Sequence, residues 1–279
     1  MARMPLAVAP IWGQTTGKLA YRPEPSVDLL GVSLHPLTTD GALTVIERFI
    51  REGQPRQVVT VNLDFLRLAR SSNEFRDVLN SADLALPDGM PLVWASKIAR
   101  KGVPCRVAGI DLVEGICEAG AQRGHSVFLL GARPGVALNA SVEIMRRYPG
   151  IRIAGTYSPP LGVWSDLEER RIRDMIIDAA PDVLLVALGA PRQDVWIAAN
   201  RDALGVPVSI GVGCSFDVIS GEASRAPRIM RNLGFEWLYR LVHDPRRLWR
   251  RYVLHDMPAF VRLMLGAFST RARSLGGAR

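Results

Sequence analysis

Val183–Asp194 reads V-L-L-V-A-L-G-A-P-R-Q-D: six apolar residues in a row, then a glycine and a polar cluster. A run that is apolar at every position, not at every second one, is what a strand covered on both faces requires. Gly189–Asp194 then forms a strand-to-helix junction. The same reading extends outward along the chain. Gln57–Val61 (Q-V-V-T-V), Ala82–Leu86, Ser126–Leu130 (S-V-F-L-L), Arg152–Thr156 and Val206–Val212 are further strand-like runs, and Val27–Val32 is a short apolar run before them. Helical patterns lie between them at Thr39–Glu52, Phe65–Leu79, Leu92–Lys101, Ile110–Arg123, from the Gly131–Gly135 turn to about Tyr148, and at Leu167–Ala179. Strands that alternate with helices imply right-handed βαβ units and a mostly parallel sheet with helices on both faces. No internal repeat or low-complexity segment interrupts this α/β pattern.

The 279 residues are 48% hydrophobic, ample for one large core. Residues 1–24 mix Pro, Gly and Thr with short apolar pieces and read as a mobile tail. Residues 25–226 form the α/β body, and residues 227–279 a helical appendage. No stretch of 18 residues is apolar and uncharged enough to cross a bilayer. Cys105, Cys117 and Cys214 are scattered without C-x-x-C spacing, which argues against disulfides and structural zinc and points to a reducing compartment. His35, His125, His243 and His255 show no metal-binding spacing either.

Charge is distributed unevenly. From Arg225 to Arg279 there are twelve Arg, no Lys and three acidic residues, a net of +9, while the rest of the chain carries −1. The formal +8 of the whole chain therefore sits in its last fifth, and implies an anionic partner such as a membrane surface or phosphates. Apolar and aromatic residues between Leu248 and Phe268 lie beside Arg246, Arg251, Arg262, Arg271 and Arg273. That fits an interfacial amphipathic helix pair, and equally a packed terminal helix with a basic rim. No recognised nucleic-acid motif is present.

In open α/β sheets, ligands bind beyond the carboxyl ends of the strands. The polar residues there are Thr60 and Asn62, then Asp88 in P-D-G. Arg106 follows in a connecting segment. Next come Gly189, Arg192, Gln193 and Asp194, and finally Gly211, Gly213 and Asp217. Asp88 fits a helix N-cap or Asx-turn, and it fits a general base in a cleft; the sequence leaves both standing. The Gly189–Asp194 junction can offer backbone N–H groups to a diphosphate. Neither G-V-G (Gly211–Gly213) nor G-A-R-P-G completes a dinucleotide fingerprint, which lowers an NAD-dependent reading. Arg240, Arg247 and Arg250 share one helical face if the helix is continuous through Pro245, and their forks suit phosphate oxygens.

The motifs taken together resemble the WecG/TagA/CpsF glycosyltransferases over about Val27 to Arg251. They are V-V-T-V-N (Val58–Asn62), A-D-L-A-L-P-D-G (Ala82–Gly89), R-V-A-G-I-D-L (Arg106–Leu112) and F-L-L-G-A-R-P-G-V-A (Phe128–Ala137). Then follow A-L-G-A-P-R-Q-D-V-W-I (Ala187–Ile197), I-G-V-G-C-S-F-D (Ile210–Asp217), G-E-A-S-R-A-P-R (Gly221–Arg228) and E-W-L-Y-R-L-V-H-D-P-R-R-L-W-R-R (Glu236–Arg251). The resemblance implies a Rossmann-like body of the GT-E type. It also implies inverting, metal-independent transfer from a UDP-sugar to a polyprenyl-diphosphate-linked acceptor, at the cytoplasmic face of the membrane, in exopolysaccharide or other surface polysaccharide synthesis. Asp88 matches the family's base, and Thr60, Asn62, Arg106 and Gln193 its active-site polar residues. Arg240, Arg247 and Arg250 resemble the arginines that complete the site near the diphosphate and hold the protein on the membrane. Asp217 resembles a nucleotide contact, and Gly189 and Gly213 belong to the substrate-binding loops. The sequence departs from the family's P-K-Q-E in P-R-Q-D (Pro191–Asp194), and from E-P in Asp244-Pro245; the shorter Asp194 is expected to alter how its loop is held.

No D-x-D pair occurs in the chain, so the leaving diphosphate is expected to be neutralised by arginines, with no metal and no cofactor. The competing readings are an NAD-dependent Rossmann-like enzyme and a non-catalytic basic membrane-binding protein. The second leaves Thr60, Asn62, Asp88 and Gln193 without a purpose. A homo-oligomer is compatible with the sequence.

Overall fold

The continuously apolar runs are strands of one covered sheet. In the computed structural model, which describes residues 26–227, 229–230, 234–243, 245–250, 254 and 256–276, six parallel strands form one sheet. They are β3 (Arg56–Val61), β4 (Leu84–Pro87), β5 (Ser126–Gly131), β6 (Arg152–Tyr157), β7 (Val183–Ala187) and β8 (Val208–Gly211), in spatial order β4-β3-β8-β7-β5-β6. Every residue of β4, β5, β7 and β8 is buried. The tail expected for residues 1–24 lies outside the described residues.

Side chains alternate between the two faces. On one face Val58, Leu129, Leu185 and Ile210 pack with α1 (Thr39–Glu52), α5 (Gly109–Arg123), α6 (Val136–Arg147) and α9 (Ser215–Ile219). On the other, Val59 and Val61 pack with α2 (Leu63–Ser71), α3 (Asn73–Ser81) and α4 (Met90–Ile98), while Leu130 and Val186 meet α7 (Asp166–Ala179) and α8 (Arg192–Leu204). The strand-helix alternation predicted by the sequence is the α/β sheet observed.

Two local expectations need correction. The apolar run Val27–Val32 is not one strand but part of a hairpin, β1 (Val27–Leu29) and β2 (Val32–Leu34), paired antiparallel apart from the main sheet. Leu30 and Gly31 both have positive φ, as a two-residue primed turn needs. The pattern Phe65–Leu79 is not one helix but two. Ser72 leaves helical geometry at φ −139° and ψ 112°, ends α2, and caps α3 by accepting from the Phe75 N–H at 3.1 Å. A serine that satisfies an orphan amide in this way competes with helix continuation.

The appendage comprises α10 (Glu236–His243), α11 (Pro245–Arg250) and α12 (Met257–Gly276). Leu263 and Ala267 of α12 are buried in the same cluster as α2 and α4, so the last helix packs on the body. Its opposite side leaves Met257, Val261, Leu265 and Phe268 exposed.

The helix after β5 packs on one face and the helix after β7 on the other. Neighbouring strands whose connections leave to opposite faces open a crevice at their carboxyl ends. Gly131 ends β5 there with φ +112°, and a Cβ would stand 2.5 Å from the Ala187 carbonyl oxygen of β7. We expect Gly131→Ala to cost about 2–4 kcal/mol, combining left-handed strain with overpacking. Urea unfolding checks this; an unchanged midpoint would mean that β5 and β7 can separate freely at this end.

Candidate active site

The motif A-D-L-A-L-P-D-G places one aspartate at each end of β4, with different work for each. Asp83, at the amino end, is buried and paired with Arg56 (2.8 Å) and Arg201 (3.2 Å), and it accepts from the Gln57 N–H at 2.9 Å. It is a structural tie. Asp88, at the carboxyl end, lies in a loop pinned to β3: its own N–H donates to the Val61 carbonyl at 2.7 Å, and Val107 N–H donates to the Pro87 carbonyl at 2.8 Å. Gly89, not Asp88, occupies the cap position of α4. Of the roles that the sequence left open for Asp88, the cap of α4 thus falls to Gly89. Asp88 lines a cavity of about 460 Å³.

Asn62 and Arg106 share that cavity. Asn62 caps α2, its Oδ1 accepting from the N–H groups of Asp64 (3.0 Å) and Phe65 (3.2 Å). This holds the amide at the carboxyl end of β3. Arg106 is 15% exposed and hydrogen-bonds Glu236 at the start of α10, with Asp111 at 3.9 Å. Burial favours the neutral form of its guanidinium, but the charges of Asp88, Glu236 and Asp111 outweigh that and raise its pKa. Asp88 and Arg106 are thus electrostatically coupled across one wall. The other walls come from α4, α10 and the start of α12, including Trp94, Trp237 and Phe260.

Gln193 and the glycines form a second group. Gln193 is buried, and its Oε1 accepts from the Gly213 N–H at 3.1 Å; its own N–H donates to the Gly189 carbonyl at 2.9 Å. One side chain therefore joins the loop after β7 to the loop after β8. Gly211 stays a glycine because a Cβ there would meet the Gln193 amide at 2.5 Å. Asp217 on α9 accepts from Arg133 at 3.3 Å, and Arg133 also reaches Glu222 at 2.5 Å. Thr60 lines neither group. It is buried in β3, and its hydroxyl donates to the Gly211 carbonyl at 3.3 Å, joining the strand of the first group to the strand of the second.

Arg250 is exposed, with its guanidinium 5.7 Å from the Trp249 ring centroid. The side chains of Arg240 and Arg247 lie outside the described set. Among the described residues, no three His, Cys, Asp or Glu side chains group as metal ligands would.

Sequence reasoning missed three features. Glu236 was visible only as the first residue of the E-W-L-Y-R motif, and nothing local announced a partner 130 residues away. Arg192 stacks 4.0 Å over Trp164, whose indole meets Trp196 edge-on at 6.3 Å. Asp194 is wholly buried, where desolvating a carboxylate costs most. Burial pushes its pKa up to about 7, with the Gln193 amide and its own backbone pulling the other way. The folded state therefore binds a proton that the unfolded chain releases near pH 4. Stability should fall as pH rises from about 4 to about 7 and level off above. Asp194→Asn mimics the neutral carboxyl. We expect it to match the parent only at about pH 4 and below, and to exceed it in urea midpoint at pH 8; equal midpoints at pH 8 would mean that the carboxylate is accommodated at no cost.

The family model for the glycosyl transferase WecG/TagA/CpsF family matches residues 27–274. A protein of Bacillus spizizenii is 37% identical over 208 residues, covering 75% of this chain and 78% of the relative. One of Staphylococcus aureus is 30% identical over 237 residues, covering 84% and 90%. One of Bacillus subtilis is 36% identical over 197 residues, covering 70% and 73%. All three are named N-acetylglucosaminyldiphosphoundecaprenol N-acetyl-beta-D-mannosaminyltransferase.

Proposed function

Because the chain belongs to the WecG/TagA/CpsF family of glycosyl transferases, we propose that it moves a sugar from a UDP-sugar to a sugar linked to polyprenyl diphosphate, with inversion and without a metal ion. The relatives' names make N-acetylmannosamine the first donor sugar to try and an N-acetylglucosaminyl lipid the first acceptor. The setting is surface polysaccharide synthesis, exopolysaccharide included. The observation that carries this reading is the coupled pair Asp88 and Arg106 on the wall of one cavity.

The Asp88 carboxylate takes the proton of the acceptor hydroxyl. The freed oxygen attacks the anomeric carbon from the face opposite UDP, and the bond from that carbon to the diphosphate oxygen breaks. Two anionic groups then need partners: the departing UDP and the acceptor's own diphosphate. Arg106 supplies one cation, and Arg240, Arg247 and Arg250 are proposed to supply others when the appendage closes. Gln193, Gly189 and Gly213 hold the loops that face the nucleotide, with Asp217 beside them; Thr60 ties β3 to β8, and Asn62 holds its amide beside Asp88 on the cavity wall. The test is a panel of UDP-sugars with a lipid-diphosphate-sugar acceptor in EDTA, reading UDP release. Acceptor-dependent release in EDTA supports the reading. Release only on adding a divalent metal would overturn the role given to the arginines.

No helix among the described residues is long and apolar enough to cross a membrane. The exposed side of α12 (Met257, Val261, Leu265, Phe268), with Val242 and Trp249, is proposed to rest on an anionic bilayer surface, at the inner face of the cell membrane. Each nearby Arg adds on the order of 1 kcal/mol to such binding. We expect sedimentation with vesicles containing phosphatidylglycerol, reduced about tenfold by Leu265→Asp with Phe268→Asp and weakened by salt. Equal binding to neutral vesicles at high salt would remove the electrostatic part.

A further inference from the structure

Gln193 and Asp194 are neighbours in the first turn of α8, and both side chains turn inward onto Gly211 of β8. A Cβ on Gly211 would stand 2.5 Å from Gln193 Nε2 and 2.6 Å from Asp194 Oδ1. The nitrogen end of the amide and one carboxyl oxygen therefore converge on one glycine. The other end of the amide, Oε1, accepts from the Gly213 N–H at 3.1 Å. The group is tied to the sheet at two further points. Gln57 Nε2 donates to the Asp194 carbonyl at 2.9 Å, and the Thr60 hydroxyl donates to the Gly211 carbonyl at 3.3 Å.

A side-chain amide can be turned end for end, and its two ends differ in what they offer: one accepts, the other donates. Turned the other way, Gln193 would set its NH2 against the Gly213 N–H, donor against donor. The tie between the loops after β7 and β8 would then be lost. Gln193 is only 2% exposed, so water does little to make either orientation acceptable. A protein group must decide it, and that group has to be an acceptor beside Nε2. Asp194 is wholly buried there, and the Gln193 amide favours its charged form, as a donor does. Burying a carboxyl costs stability, so packing alone gives no reason to place one at this position.

We infer that Asp194 is a positioning residue: its buried carboxyl holds the Gln193 amide in the orientation that pins Gly213, and so sets the loop after β8 for the nucleotide. The inference rests on the reading that this loop faces the UDP of the donor. Asp194 acts through Gln193 and touches neither substrate nor reacting atoms.

The test compares Asp194→Leu and the smaller Asp194→Ala, which lack an acceptor, with Asp194→Asn, which keeps a carbonyl oxygen for Nε2. Asp194→Ala repeats the comparison without added bulk. The readouts on the full-length protein are hydrogen exchange of the Gly213 N–H by NMR, UDP affinity by calorimetry, and the urea midpoint. In the variants without an acceptor we expect exchange at Gly213 to speed by about tenfold and UDP affinity to fall by about as much, the scale of one lost buried hydrogen bond. Asp194→Asn should restore both. Parent-like exchange at Gly213 in Asp194→Leu and Asp194→Ala would overturn the inference. So would faster exchange with UDP affinity unchanged, because the hold would then not serve the site. An Asp194→Asn variant no better than Asp194→Leu would overturn it too, since packing would be the cause. Sugar transfer is scored separately: a parent protein that binds UDP and transfers nothing sinks the proposed reaction and leaves the exchange and affinity comparison standing.

Discussion

Asp88→Asn will lower acceptor-dependent transfer by about 10³-fold, on the order of 4 kcal/mol of transition-state stabilisation, while UDP still binds. The amide has the carboxylate's shape but cannot take the acceptor's proton. The loop should survive the change, because it is held by backbone: Asp88 N–H to the Val61 carbonyl and Val107 N–H to the Pro87 carbonyl. Arg106 keeps Glu236 and Asp111 as counter-charges. A normal urea midpoint, normal UDP binding and a collapsed turnover together would fix Asp88 as the base. Near-full turnover in the variant would send the search for the base elsewhere along the cavity.

The second large effect is expected at Arg106. Arg106→Met keeps the apolar stem of the side chain and removes its charge and fork. We expect a fall of about 10²- to 10³-fold in kcat/KM, the usual consequence of losing one preorganised donor at developing negative charge. Lysine should rescue poorly, since a single ammonium cannot hold Glu236 and a phosphate oxygen in the geometry of a planar fork. The same substitution leaves Glu236 without its partner at the start of α10. Limited proteolysis should therefore cut between Glu236 and Arg250 faster in Arg106→Met than in the parent. A Glu236→Gln variant separates the two consequences: it should speed proteolysis and spare most of the chemistry. If Arg106→Met turns over normally, the diphosphate charge is met entirely by other residues.

Much of the body was legible because its signals are local. Val183–Ala187 and Ser126–Gly131 are apolar at every position, and only a doubly covered strand makes that pattern favourable. The placement of Asp88 at a strand's carboxyl end followed from the same reading. The hairpin at Leu30–Gly31 escaped, since strands of three residues carry too little alternation to announce a reversal. The break at Ser72 escaped because apolar spacing runs through it, and a serine hydroxyl decides the matter. Glu236 against Arg106, Thr60 against the Gly211 carbonyl, and the aromatic wall of Trp94 and Phe260 are long-range contacts. No periodicity encodes them, and they are what turns a list of polar residues into a cavity. Asp194 reads from sequence as one of the polar residues beyond a strand's end, and only the packing around Gly211 shows that it is sealed from water.

The order β4-β3-β8-β7 has a consequence for how the chain is made. β8 lies between β3 and β7, so β3 meets its second neighbour only when a segment about 150 residues downstream arrives, as the Thr60–Gly211 contact records. On a ribosome, β3 and β4 emerge early and then wait, with one edge of β3 unpaired, until residues 208–211 have cleared the exit tunnel. Such non-local pairing is slow and leaves an open strand edge in the meantime. The nascent chain should therefore depend on chaperones until β8 inserts, and a message truncated before Val208 should yield aggregates instead of a partial enzyme.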